Sequence, residues 1–396
     1  MRSRSIAIVT NKNAIYPPTH GAARRIWGLA RALCHFGLRV HVIESAVDGM
    51  IRHRQIGEIR ISSFPYPLPR TFRANIGAAR AFGSISPSRR IIRSGPQFNP
   101  GHTAYLAKLR FRSMLDIVQI ESPYPIFEGL PLRTLGAELI LDQHGVEIDY
   151  LHEILASVGR RAIPFESVQV SILERLAIQA ASSVLCCSDL DKRRMMRIYG
   201  GQETKFIVVE NGIDEEFFSQ VKPFIFPDPT VLFLGSFNHS PNLHAIDWIV
   251  HNVIPRVHRV IPETRFAFVG SGSLELPRVN NSLVFRNVND VRPFIRGAQV
   301  GLATIFYGSG SRLKILEYSA CGLPVVATTK GMEGLDLEPG SEILVANDAD
   351  SVAGAIIDLV SNKPLATRIA INAMSKVRSR YVWRSIVFRA LSAYSS

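Results

Sequence analysis

The sequence contains no apolar run near the ~18 residues that a membrane-spanning helix needs. Its longest apolar stretches, such as Val300–Phe306, have the length of a strand. The first run, Ile6–Val9, follows Arg2 and Arg4 but stops at Asn11, short of the ~7–15 residues of a secretory h-region. A soluble cytoplasmic protein is expected, and peripheral contact at the inner membrane face stays compatible with that. Cysteine is scarce: Cys34, Cys186, Cys187 and Cys321 show no C-x-x-C spacing, which argues against a disulfide framework or a zinc site. No other cluster has metal-ligand spacing, so no metal and no separate cofactor are expected. Heptads, low-complexity tracts and short-period repeats are missing too. Acid is locally depleted, because Glu58 is the sole acidic residue between Arg52 and Arg112. That proline-interrupted, arginine-rich stretch reads either as a solvated insertion or as a basic lip for an anionic acceptor or lipid headgroups.

What is present suits a large folded chain. The 396 residues correspond to about two domains, and 46% hydrophobic against 20% charged content excludes global disorder. A formal net charge of +13 favours anionic partners. Nucleic acid is not expected among them, for want of a zinc finger, a helix-turn-helix pattern or an aromatic-basic RNA signature. The dominant pattern is a short apolar run, a small-residue turn and an amphipathic stretch, which predicts alternating strands and helices and hence parallel sheets. After Ile6–Val9, residues Ile26, Leu29, Ala30 and Leu33 share one helical face, Gly37 closes the helix, and Leu38–Ile43 is the next strand. Ile117–Ile120, Leu139–Leu141, Val184–Cys187 and Phe206–Val209 continue the series. It restarts with Val231–Gly235, Phe266–Gly270, Val300–Phe306 and Pro324–Ala327. Two Rossmann-like domains follow, residues 1–211 and 212–380, with a helix at about 381–396 expected to pack back on the first.

The most informative segment runs from Tyr307 to Ala327. An apolar strand feeds Gly308-Ser309-Gly310-Ser311, and a helix is predicted from near Arg312 to just before Gly322. Glycines let a ligand approach the main chain, and the free N–H groups and dipole at a helix start favour an anion. Ser309 and Ser311 could cap the helix or donate to phosphate. Arg312 offers a planar fork and Lys314 a point charge. Glu317, nearly two turns in, offers a carboxylate to vicinal ribose hydroxyls. The set reads as a cradle for a nucleoside diphosphate, although Lys314 and Glu317 would also fit an ordinary surface pair. In the N-terminal half, Asp142-Gln-His-Gly-Val-Glu147 follows a strand, so His144 is predicted to point into the crevice where such sheets bind ligands. Asp142, Glu147 and Asp149 are the acidic neighbours that could orient its imidazole.

The string Gly308–Ala327 resembles the donor-site signature of GT-B glycosyltransferases of the family-4 type. Val231–Asn242, Phe266–Gly272, Val284–Asp290 and Val208–Asp214 resemble further segments of that family in order, as do Ile6–Ile43 and Leu141–Glu147 in the N-terminal half. The resemblance implies two Rossmann-like domains with parallel sheets facing each other across a cleft, and transfer of a sugar from a nucleotide-sugar donor with retention and without a metal. The basic net charge suits a glycan or lipid-linked saccharide acceptor on an anionic carrier, as in polysaccharide or lipopolysaccharide synthesis. The resemblance assigns His144 to the acceptor side and Gly21, Gly235, Gly270 and Val288, with the Gly308–Glu317 segment, to the donor. His20 is a weaker candidate beside Gly21. The sequence departs from the family where Ser309 replaces a frequent glutamate and where the loop Ser236–Asn242 carries neither Arg nor Lys. Arg312 and Lys314 are therefore expected to hold the diphosphate. A nucleotide-sugar epimerase of the same fold and a degenerate scaffold are the rival readings.

Overall fold

A computed structural model describes residues 4–11, 15–18, 21–46, 48–65, 99–112, 114–157, 164–273, 281–308 and 312–394. The chain divides into two compact units, residues 1–210 with 387–396, and residues 211–386.

The first unit is built on an eight-stranded sheet. Its strands are β1 (Ser5–Val9), β2 (Arg39–Ala46), β3 (Arg52–Ile56), β4 (Ile59–Pro65), β5 (Ile117–Glu121), β6 (Glu138–Gln143), β7 (Ser183–Cys186) and β8 (Phe206–Val208). Their order is β3-β4-β2-β1-β5-β6-β7-β8, and every pair is parallel except β3 with β4. The strands are continuous apolar runs because helices cover both faces of such a sheet. The helix Gly21–His35 buries the expected Ile26, Leu29, Ala30 and Leu33, together with Arg25. It ends where Gly37 adopts φ +85° and the Leu38 amide reaches back to the Leu33 carbonyl, a left-handed C-terminal cap.

The arginine-rich stretch is not one insertion. Residues 52–65 form the β3–β4 hairpin, and β4 joins the sheet parallel to β2. Apolar Ile59, Ile61 and Phe64 are buried there, which outweighs the local charge. Residues 66–98, including the arginines at 89, 90 and 93, lie outside the described residues. The chain re-enters through Asn99, whose side chain caps the helix Pro100–Phe111 by accepting from the Gly101 amide at 3.0 Å. The Asn99 amide donates to Glu128 Oε1 at 2.9 Å. Burial pushes the Glu128 carboxyl up to about 7, against that hydrogen bond and a second from its own backbone amide. Its folded form therefore holds a proton between about 4.5 and 7 that the unfolded chain releases, so this group destabilises increasingly as pH rises through that window. Glu128→Gln should match the parent near pH 4 and exceed it by about 1–3 kcal/mol at pH 8. Unfolding midpoints of the two proteins across pH measure this, and a gap that stays constant would contradict it.

The second unit carries a six-stranded, all-parallel sheet in the order β11-β10-β9-β12-β13-β14. These strands are β9 (Thr230–Leu234), β10 (Arg265–Gly270), β11 (Ser282–Arg286), β12 (Val300–Ala303), β13 (Val325–Ala327) and β14 (Leu344–Val345). Alternate residues of β9 and β10 enter opposite cores: Val231, Phe233, Phe266 and Phe268 in one, Leu232, Leu234, Ala267 and Val269 in the other. Each of these buried side chains except Ala267 is worth about 1.5–3 kcal/mol of transfer free energy. The helix that follows β9 starts at Ser240 and widens to a π-turn over Ile249–Val253 before Ile254–His258. Pro255 lacks an N–H and would collide with a carbonyl one turn back, and the wider turn relieves this.

Candidate functional site

In the C-terminal unit the chain leaves β9 toward β10 on one side and β12 on the other, so the sheet changes direction between β9 and β12. Ligands of doubly wound sheets bind at the carboxyl ends of the strands at such a point. Two features keep β9 and β12 apart there. First, β12 pairs with β9 only at Val300↔Val231 and Gly301↔Leu232, so it is shorter than the sequence suggested. Second, Tyr318 stands where the ladder stops. Its hydroxyl accepts from the Leu234 amide at 2.6 Å and lies 3.3 Å and 3.4 Å from the Leu302 and Leu232 carbonyls.

The floor of the crevice is main chain. A Cβ on Gly270 would fall 1.7 Å from the Gly235 carbonyl oxygen, and one on Gly235 would meet Asn242 at 2.6 Å. Gly308, at φ +104°, lies against Pro241 and Arg312. Val288 follows Asn287, whose amide bonds the Gly270 carbonyl at 2.7 Å, and it packs on the apolar cluster beneath.

Two helix starts meet over this floor, Ser240–Trp248 and Leu313–Ala320. Neither N-cap residue, His239 nor Arg312, gives a side-chain capping bond. Ser240 Oγ lies 2.8 Å from the Tyr307 hydroxyl and ties the two loops together. Arg312 donates to the Gly308 carbonyl at 2.7 Å, which ties the guanidinium to the end of the preceding loop. Lys314 donates to Asn242 Oδ1 at 3.0 Å, and its ammonium sits 3.8 Å from the centre of the Phe233 ring. Burial, reinforced by the neighbouring Arg312 charge, holds Lys314 well below the usual lysine range. This end of the unit thus gathers two basic side chains and main-chain donors, as an anion site requires.

Glu317 is buried at 4% exposure. The helix runs from Leu313 with Arg312 as its N-cap, so Glu317 lies about one turn in, not nearly two. Gly235, Gly270, Gly308, Arg312 and Lys314 are thereby brought together. Ser309, Gly310 and Ser311 lie outside the described residues, as does His20. Gly21, the first residue of its helix, is exposed and belongs to the N-terminal unit.

The N-terminal unit carries its own constellation at the ends of β5 and β6. His144 Nε2 lies 2.7 Å from Glu121 Oε2 and 4.0 Å from Asp142 Oδ2. The orienting acid is therefore Glu121, which lies outside the sequence motif around His144. Glu147 bonds the Tyr124 hydroxyl instead, and Asp149 lies 3.9 Å from Arg194. Glu121 Oε1 accepts from Gln119 Nε2 at 2.7 Å, and Gln119 Oε1 accepts from the Tyr394 hydroxyl at 2.7 Å. Burial and the nearby Asp142 charge drive the Glu121 carboxyl upward, opposed by His144 and Gln119. Asp142 is engaged by the buried Arg25 through Nε at 3.0 Å and a second nitrogen at 2.6 Å. A third Arg25 nitrogen donates to the Val209 carbonyl at 2.9 Å.

Glu121, Asp142 and His144 bring ligand atoms within 4.8 Å of one another, close enough to hold a metal. The Arg25 guanidinium already supplies the cation on both Asp142 oxygens, so the carboxylates fit as partners of Arg25 and His144 better than as metal ligands. The sequence did carry a signal for this cluster. Arg25 shares the apolar face of its helix with Leu29, and Gln119 interrupts an apolar strand.

Comparison with known proteins agrees with this architecture. Residues 19–217 match the family model described as Glycosyltransferase Family 4, and residues 228–362 match that described as Glycosyl transferases group 1. A Klebsiella pneumoniae protein described as an uncharacterized 44.6 kDa protein in the cps region is 26% identical over 38% of this chain and 42% of its own length. One subunit of the Arabidopsis thaliana phosphatidylinositol N-acetylglucosaminyltransferase is 23% identical over 66% of this chain and 57% of its own. The chain thus spans about half the length of these curated relatives. Among solved structures, sucrose-phosphate synthase from Thermosynechococcus elongatus superposes with a TM-score of 0.74 at 15% identity, covering 99% of this chain and 98% of that one. HepE from Anabaena, in complex with UDP and glucose, gives 0.68 at 14%, covering 99% of each. The fold is the two-domain, Rossmann-like GT-B arrangement. No described helix is long and apolar enough to cross a membrane.

Proposed function

The chain belongs to glycosyltransferase family 4, and on that premise we propose that it moves a sugar from a nucleoside diphosphate donor to a hydroxyl of a glycan or lipid-linked saccharide. The observation that carries this reading is the meeting of two helix starts with Arg312 and Lys314 over a backbone floor at the switch point of the C-terminal sheet. In the reaction the acceptor oxygen bonds to the anomeric carbon as the bond from that carbon to the diphosphate breaks. The acceptor proton passes to the departing phosphate oxygen, as retention by front-side attack requires. The negative charge growing on the diphosphate is met by Arg312, Lys314 and the main-chain amides, so the chemistry needs no metal.

Structures such as HepE carry UDP and glucose, and a UDP-sugar is the donor we assign here. The cps-region relative and the Arabidopsis phosphatidylinositol N-acetylglucosaminyltransferase support an acceptor in polysaccharide or glycolipid synthesis. His144, in the N-terminal unit, is assigned to the transferred sugar or the acceptor hydroxyl. A basic surface with peripheral contact at an anionic membrane suits such an acceptor.

Glu317 provides the test. If its carboxylate holds the ribose hydroxyls, Glu317→Gln should weaken UDP binding in isothermal titration and Glu317→Ala should weaken it further, by about 1.5–3 kcal/mol. Unchanged affinity in folded variants would place the nucleoside elsewhere.

A further inference from the structure

The ladder Tyr394–Gln119–Glu121–His144 has a direction. A buried phenol is a donor, and burial drives the Tyr394 hydroxyl still further from ionisation. It can satisfy Gln119 only at the carbonyl oxygen, which fixes the amide and turns its NH2 toward Glu121. With Oε1 receiving that N–H, Glu121 presents Oε2 to His144 Nε2. Gln119, Glu121 and Tyr394 are all at most 3% exposed, so water does not replace these partners freely.

We propose that Tyr394, Gln119 and Glu121 are positioning residues that fix the proton of His144 on Nε2 and leave Nδ1 as the nitrogen that serves substrate. The charged groups facing this ladder are Asp142 from β6 and Arg25 from the helix Gly21–His35. They engage each other, so Glu121 is left as the carboxylate that answers to His144. Tyr394 comes from the segment Leu391–Tyr394 at the far end of the sequence, yet it belongs to the N-terminal unit. That segment thereby reaches a group at the end of β6 without touching it. The inference rests on the assignment of His144 to the reaction, and the experiment separates the two.

The full-length protein labelled with 15N-histidine reports the protonation of each ring nitrogen of His144, assigned by comparison with His144→Gln. The parent should show Nε2–H. In Glu121→Gln, the amide oxygen keeps the bond from Gln119, and the NH2 group meets Nε2 as a donor. The ring must then carry its proton on Nδ1. Turnover should fall roughly 10–100-fold, the loss typical of removing the carboxylate behind a metal-bound histidine and taken here as the scale for an orienting partner, with the KM for donor unchanged. Tyr394→Phe, the milder variant, frees the Gln119 amide to rotate and should give a mixture of the two tautomers with a loss of about a few-fold. Glu121→Asp, which restores an acceptor, should recover Nε2–H. An unchanged Nε2–H in both Glu121→Gln and Tyr394→Phe would overturn the proposal. A reversed tautomer with parental turnover would uphold the ladder and remove His144 from the chemistry.

Discussion

Arg312→Ala and Lys314→Ala are each expected to lower kcat at saturating donor by about 10²–10³-fold, the usual loss when one preorganised donor to developing negative charge is removed. Both side chains are held in place by neutral groups of their own unit. Arg312 is bonded to the Gly308 carbonyl and Lys314 to Asn242, so neither needs the ligand to find its position. In the proposed reaction their charge matters most as the diphosphate departs, where an interaction stronger in the transition state than in the ground state raises the rate. Lys314 adds a second signature. In the ligand-free protein, burial and Arg312 depress its affinity for a proton, and an arriving diphosphate reverses that balance. Nucleoside diphosphate binding should therefore take up a proton, and affinity should weaken as pH rises. Titration in buffers of different ionisation enthalpy measures the uptake, which Lys314→Met should abolish. Normal turnover in the alanine variants, with only a lower melting temperature, would reduce both residues to packing.

His144→Ala should leave UDP affinity intact while transfer falls by about 10²–10⁴-fold, the range for general acid–base help or positioning. The lower end is expected, since in front-side attack the departing phosphate oxygen takes the acceptor proton. The separation follows from the architecture, because His144 belongs to the first compact unit and the Arg312–Glu317 segment to the second. Matched titrations and single-turnover rates test it. A loss of nucleotide affinity equal to the loss of rate would show that His144 supports the nucleotide instead.

Much of this was legible in the sequence because parallel strands buried on both faces announce themselves as apolar runs. Ile6–Val9 and Ile117–Ile120 needed only an added residue, and Val231–Gly235 a shift of one residue, to match the observed strands. The proposed anion site was readable for a related reason: Gly308, Arg312 and Lys314 are near neighbours in the chain. What stayed hidden depends on partners distant in sequence. Asn242 stood out only as part of a loop lacking cations, yet it holds the Lys314 ammonium across 72 positions. Glu121 lies 23 positions from the histidine it orients, and nothing in its neighbourhood separates it from Asp142, Glu147 or Asp149. β4 was hidden for the opposite reason. Arginines on its exposed side and on β3 made a buried strand resemble a solvated tract, although Ile59 and Ile61 already showed the alternation of a strand.

The Tyr318 hydroxyl between β9 and β12 acts as a spacer of fixed covalent length. Two parallel strands that part after two residue pairs would leave the Leu234 amide without a ladder partner, and such a group in a dry interior pulls strands together or admits water. The phenol prevents both, taking the amide itself while its ring fills the space above Gly301, where a Cβ would fall 2.7 Å away. The width of the crevice is thereby settled when the unit folds. The entropy of opening it is not charged against a ligand at each encounter. Whatever binds at this switch point meets a mould already cast.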